Sequence, residues 1–97
     1  MQRFAILEHR TPVGYPRGTH FDLLLQQHEI CHTWALDRLP EPGEQVVAER
    51  LAGHRLHYLD YEGPISGGRG EVVRIDGGDC EWLSTEAEQM QALLTGA

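Results

Sequence analysis

His20 and Asp22, in the stretch Thr19-His20-Phe21-Asp22-Leu23-Leu24-Leu25, are the first residues in this 97-residue chain whose types and spacing suggest chemistry. Side chains of a β-strand alternate between faces, so a His-x-Asp pair sets an imidazole and a carboxylate side by side, pointing the same way. That is two-thirds of a His/His/carboxylate metal site. The same pair on the polar face of a half-buried strand, with Phe21, Leu23 and Leu25 turned to the core, needs no metal at all. His9 is the candidate third ligand. It closes one predicted strand and His20 opens the next. If the two strands pair antiparallel through the loop of residues 10–18, the imidazoles meet at one end of the sheet, with Asp22 one pleat further in. Two nitrogens and one carboxylate with positions left open suit Mn²⁺, Fe²⁺ or a catalytic Zn²⁺ better than a closed structural zinc. A divalent ion offset by one carboxylate leaves a site charge of about +1, on which a phosphate could dock.

His54-Arg55-Leu56-His57-Tyr58 is a second cluster. Read as a strand, it sends His54, Leu56 and Tyr58 to one face, where a His and a Tyr together could hold or protonate an oxyanion. An aromatic packed beside a surface histidine has the same sequence. The third cluster is the Gly-rich stretch from Tyr61 to Gly70, whose four glycines free the backbone while Arg69 adds a cation. No Gly-Lys-Ser/Thr follows, so it is no P-loop, and a plain turn has the same composition. His28 falls in a turn and His32 in mid-strand, and both read as structural.

The elements that must position these residues are mostly short strands. Apolar and β-branched runs predict strands over 3–9, 19–26, 30–36, 45–50, 56–60, 71–75 and 80–83, separated by Pro/Gly-rich loops. Gln27-His28-Glu29 fits a hairpin turn, and Asp76-Gly77-Gly78-Asp79 is a strong hairpin signal. Thr85-Glu86-Ala87-Glu88 matches a capping box, with Met90, Gln91 and Leu94 following at helical spacing, so a helix is expected over 85–95. The expected fold is mainly β: a small antiparallel barrel or half-barrel of about seven strands with a C-terminal helix, forming a single domain over residues 1–97.

The net charge of −7 argues against loose, electrostatically driven nucleic-acid binding. The charge is uneven: Asp79, Glu81, Glu86 and Glu88 place −4 in residues 79–97, leaving −3 for residues 1–78. All eight basic residues are Arg, whose fork suits bidentate phosphate recognition, although GC-rich coding would give the same bias. Cys31 and Cys80 fit no C-x-x-C pattern and read as two buried thiols. No apolar run is long enough to span a membrane, and residues 1–9 lack the features of a signal peptide, so a cytoplasmic protein is expected.

Several blocks then appear in a familiar order over residues 3–76: Arg3-Phe4-Ala5-Ile6-Leu7-Glu8-His9, His20-Phe21-Asp22, Thr33-Trp34-Ala35-Leu36, and the long run from His54 to Gly70. Together they resemble the 3′-phosphoesterase domain of bacterial DNA ligase D, and more closely its small stand-alone relatives. Asp60-Tyr61-Glu62-Gly63-Pro64 is the specific part of the match. The resemblance implies an Mn²⁺-dependent hydrolase that trims the 3′ ends of DNA in repair, removing a 3′-terminal ribonucleoside and then the remaining 3′-phosphate. It implies His9, His20 and Asp22 as metal ligands, His54 as the phosphate-contacting histidine and Tyr58 as the tyrosine near it. Larger members carry an Arg two residues past the metal Asp, where this chain has Leu24. Arg10, Arg17, Arg38 and Arg69, on loops, are the candidate substitutes for that phosphate clamp. The implied partners are DNA or RNA–DNA 3′ ends and a ligase or Ku-type repair protein. The alternative is a metal-containing module that binds phosphorylated ends or a repair partner without turnover. The facial triad of non-haem iron oxygenases shares the ligand types, but no co-substrate carboxylate site accompanies them here.

Overall fold

A computed structural model describes residues 1–41, 43–86 and 88–96. The strands are β1 (Gln2–Arg10), β2 (His20–Gln27), β3 (Ile30–Leu36), β4 (Ala48–His54), β5 (Gly63–Pro64), β6 (Glu71–Glu86) and β7 (Gln89–Gly96), with a 3-10 helix at Leu56–Leu59. All pair antiparallel in one sheet of order β4-β3-β2-β1-β6-β5, and β7 pairs with β6. The hairpin expected at Gln27-His28-Glu29 is present between β2 and β3. Among the described residues no helix is long and apolar enough to cross a membrane.

β2 lies in the interior of the sheet, paired with β1 and β3, and both of its faces are covered. On one face Ala5, Leu7, Leu24, Cys31, Leu59 and Val72 form a buried cluster, closed over by Leu56, Tyr58, Tyr61 and Ile65. His20 and Asp22 stand on this same face, each only 4 % exposed. On the other face Phe4, Leu25 and Cys80 pack with Ile6, Leu23, Trp34, Trp82 and Leu94. The far half of the β6–β7 hairpin supplies that second cover. Trp82 donates from Nε1 to the Gln26 carbonyl at 2.7 Å, and Met90 Sδ lies 3.7 Å from Arg50 on β4. Asp79, Glu81 and Glu86 also lie on that hairpin.

Four expectations need correction. Among the described residues the sheet stays open, with β4 and β5 at its ends, so they form no closed barrel. The expected C-terminal helix is strand β7: Met90, Ala92 and Leu94 are half-buried while Gln91, Leu93 and Thr95 are exposed, a period of two rather than of a helix. Pairing with β6 over Gly78–Glu86 overrides the local helical pattern; of the capping box, Thr85 and Glu86 belong to β6 and Ala87 lies outside the described residues. Asp76-Gly77-Gly78-Asp79 is no turn, because β6 runs straight through it. The glycines there serve close packing: a Cβ on Gly78 would strike the Thr95 carbonyl, and one on Gly77 the Arg74 guanidinium. Leu56–Leu59 likewise turns as a 3-10 helix instead of extending as a strand.

Candidate metal centre

His9 and His20 are direct cross-strand partners in the β1–β2 ladder, and their ring centroids are 4.9 Å apart. Each ring is fixed through the nitrogen that points away from Asp22. His9 donates from Nε2 to the Arg69 carbonyl at 2.7 Å, and His20 donates from Nδ1 to the Gly18 carbonyl at 2.9 Å. These bonds assign the protons and leave lone pairs on Nδ1 of His9 and Nε2 of His20. Those lone pairs face Asp22: Nε2 of His20 is 3.0 Å from Oδ1, and Nδ1 of His9 is 3.6 Å from Oδ2. Oδ1 of Asp22 is buried and has no hydrogen-bond partner among the described residues. The three groups offer ligand atoms that all lie within 4.8 Å of one another. Two imidazoles and a carboxylate oxygen without a hydrogen-bond partner, converging in a buried site, are satisfied by a cation, so the residues fit a divalent metal.

The loop between β1 and β2 and the β5–β6 loop build the walls. Thr11 N–H donates to Thr19 Oγ1 at 3.3 Å and closes the first loop, which carries Tyr15 to 6.2 Å from the His9 ring. In the second, Ile65 N–H donates to the Gly70 carbonyl at 2.8 Å, and Gly70 adopts a left-handed φ of 91°. A Cβ there would strike the Arg10 carbonyl, so only glycine lets this loop close on β1 and present the Arg69 carbonyl to His9.

His54 ends β4, opposite Cys31 on β3. Its Nδ1–H lies between the Thr33 hydroxyl oxygen at 3.0 Å and the Ala52 carbonyl at 3.1 Å, and the Thr33 hydroxyl itself donates to the Cys31 carbonyl at 3.2 Å. Nε2 is thereby left toward the cavity that His54 shares with His9, His20 and Asp22. Tyr58 stands edge-on to His54 with centroids 5.4 Å apart, although the two are not on one strand. The turn that carries Tyr58 is tied down at its end. Arg3 grips Asp60 with two hydrogen bonds of 3.0 and 2.5 Å, which hold the Asp60 carboxyl below the usual carboxylate range, and Arg74 Nε donates to the Leu59 carbonyl at 3.0 Å. Beneath the site, burial pushes the Cys31 thiol up to about 11, so it is a neutral packing group and no nucleophile.

The candidate phosphate arginines separate, and Arg10, at the end of β1, pairs with Glu8 at 2.5 Å. Arg69 lines the trio's cavity, donates from Nε to the Ser66 carbonyl at 2.8 Å, and has no carboxylate partner among the described residues. Arg17 lines the same cavity but is paired with Glu49 and lies 3.8 Å from Asp37. Arg38 is not brought to the site: it pairs with Glu44 at 2.5 Å and lines a separate cavity with Asp37 and Val47. Tyr15, Thr33 and Leu51 enter the site without having been singled out by their sequence. Thr33 had a signal, being a polar residue at an inward position between Cys31 and Ala35. Tyr15 had only its place in the loop that joins two candidate ligands.

No curated protein matches the chain. The family model described as the DNA ligase D 3′-phosphoesterase domain matches residues 8–96, a span that holds His9, His20, Asp22, His54 and Tyr58. Such domains have a phosphoesterase role in end processing, and the chain belongs to this family.

Proposed function

We propose that this chain is a metal-dependent phosphoesterase that removes a 3′-terminal ribonucleoside and the remaining 3′-phosphate from DNA ends, with Mn²⁺ as its metal. The observation that carries the reading is the orphaned Asp22 Oδ1 facing the lone pair of His20 Nε2. His9, His20 and Asp22 would hold the ion, which when bound supplies Lewis-acid polarisation of a phosphoryl oxygen and a water of lowered pKa. The remaining work falls to the chain's own groups. Arg69 neutralises a phosphate oxygen. With Nδ1–H held by Thr33 and Ala52, the imidazolium form of His54 would donate from Nε2 to the same phosphate and pass that Nε2 proton to the leaving oxygen, ending as the neutral ring. Tyr58, on its tethered turn, limits how far His54 can rotate. The product is an end that a ligase can seal, so a ligase or Ku-type partner belongs to the proposal.

The test is incubation with Mn²⁺ and a primer bearing one 3′-terminal ribonucleotide or a 3′-phosphate. Conversion by the wild type and its loss in His20→Ala support the enzyme; no conversion with any divalent metal overturns it. One observation favours the non-catalytic end-binding module instead. Leu24, where larger members carry an Arg, is fully buried and contributes packing, with no charge toward the site. Retained end binding without turnover would select that reading.

A further inference from the structure

The space around the metal trio continues into a second, larger cleft of about 390 Å³, and the two share Leu51, His54 and Arg69. The second cleft adds Arg55 and Tyr58, and none of its lining residues carries a carboxylate, on a chain of net charge −7. The arginines explain why this matters. Arg3, Arg10, Arg17 and Arg38 are held by carboxylates. Arg50 lies over the Trp34 ring, and Arg74 donates to the Leu59 carbonyl. The other two, Arg55 and Arg69, both line this cleft.

We infer that the cleft is a strand subsite, in which Arg55 binds the phosphodiester one nucleotide to the 5′ side of the reacting phosphate. The inference rests on the reading above, in which a 3′-terminal phosphate occupies the trio's cavity. Such a phosphate has its entire strand on the 5′ side, so the strand must leave by one route. The adjoining cleft is cationic, free of competing carboxylates and continuous with the reaction site through Arg69 and His54. Specificity follows: the chain prefers an oligonucleotide end to a mononucleoside phosphate, and Arg55 is the residue that sets the preference.

The experiment is competition binding, read by fluorescence anisotropy with Ca²⁺ in the buffer. A 5′-labelled trinucleotide 3′-phosphate is displaced by the unlabelled trinucleotide or by a mononucleoside 3′-phosphate. The wild type should favour the trinucleotide about tenfold or more, and Arg55→Gln should cut that ratio to near unity, as expected for loss of one charge-assisted phosphate contact. The log–log salt slope of trinucleotide binding should fall by about 0.7, the value for one phosphate contact on a single strand. Arg55 is exposed, and Arg55→Glu with an unchanged melting temperature guards against a folding effect. A wild-type ratio near one, no wild-type binding, or an unchanged ratio in both variants overturns the subsite. Phosphate release by the wild type is scored separately. Its absence with the binding pattern intact sinks the phosphoesterase reading alone, and its presence with an unchanged ratio sinks the subsite alone.

Discussion

Oδ1 of Asp22 lies 3.0 Å from Nε2 of His20, and the other nitrogen of that ring already donates to Gly18. Two acceptors in a buried site are therefore held face to face. Without an ion Asp22 Oδ1 is left buried with no hydrogen-bond partner among the described residues, and such a group costs about 1–3 kcal/mol. Asp22→Asn replaces the anion with an amide that can donate to Nε2. The expected outcome is a metal-free variant more stable than the metal-free wild type by about 1 kcal/mol, a rise of roughly 4–8 °C in melting temperature for a domain of this size. Added Mn²⁺ at a hundredfold excess over its Kd should stabilise the wild type by about 2.7 kcal/mol and leave Asp22→Asn unmoved. Thermal melts with and without EDTA decide it; a variant less stable than the metal-free wild type would contradict the account.

The bond from His9 to the Arg69 carbonyl depends on a glycine. Gly70→Ala forces a side chain into a left-handed backbone against the Arg10 carbonyl. Strain of this kind costs about 1–3 kcal/mol. Loss of the outer partner of a metal-binding histidine lowers metal affinity about 10–100-fold. Calorimetric Mn²⁺ titration of Gly70→Ala should show that loss while far-UV circular dichroism keeps the β signature. Unchanged affinity would mean that Arg69 does not orient His9.

The convergence of His9, His20 and Asp22 was legible because it depends only on period-two alternation and on one hairpin-like pairing, both local. His9 and His20 pair directly, and Asp22 follows on the same face. What was misplaced depends on contacts distant in sequence. Residues 85–95 carry a helical spacing, yet Trp82 and Leu94 gain more by covering Phe4 and Leu25 from an extended hairpin. Asp76-Gly77-Gly78-Asp79 has turn chemistry, but Gly78 is needed where β7 crosses closest. The meeting of His54 with Tyr58 was expected from strand alternation and arises instead from a 3-10 turn pinned by Arg3 and Arg74, which no local pattern announces.

On the opposite face of the sheet, His32 gives a pH dependence unrelated to catalysis. Burial first, and then the charge of Arg50, push its pKa below the ordinary histidine value. Arg50 donates to Nδ1, Nε2 donates to Gln27 Oε1 at 2.7 Å, and Trp34 and Trp82 flank the ring. The unfolded chain protonates this imidazole near pH 6.5 and the folded chain only at lower pH. Stability from neutral His32 is thus complete above about pH 6.5 and is lost as pH falls through the folded pKa. Urea melts in EDTA between pH 7.5 and 5 should show a steeper fall for the wild type than for His32→Gln. Parallel curves would remove His32 as the cause.

Leu24 bears on catalysis through what it excludes. It is 0 % exposed and packs with Ala5, Leu7, Cys31, Leu59 and Val72 on the face that carries His20 and Asp22. Leu24→Arg would therefore not restore a phosphate clamp. It would bury a cation under the 3-10 turn, a change that costs about 3–5 kcal/mol when the charge is unpaired. In a domain whose whole stability is of order 5–15 kcal/mol, much of the chain should unfold. If the guanidinium instead reaches Asp22 on the same face, it competes with the metal, so either route lowers the end-processing rate. The clamp in this chain then falls to Arg69, and Arg69→Gln should raise KM for a 3′-phosphorylated end about tenfold, the loss expected for one charge-assisted hydrogen bond to phosphate. Steady-state kinetics on both variants decide between the two positions: a Leu24→Arg protein that folds and works faster than the wild type would show that the apolar cover can open, and that β2 can carry the clamp after all.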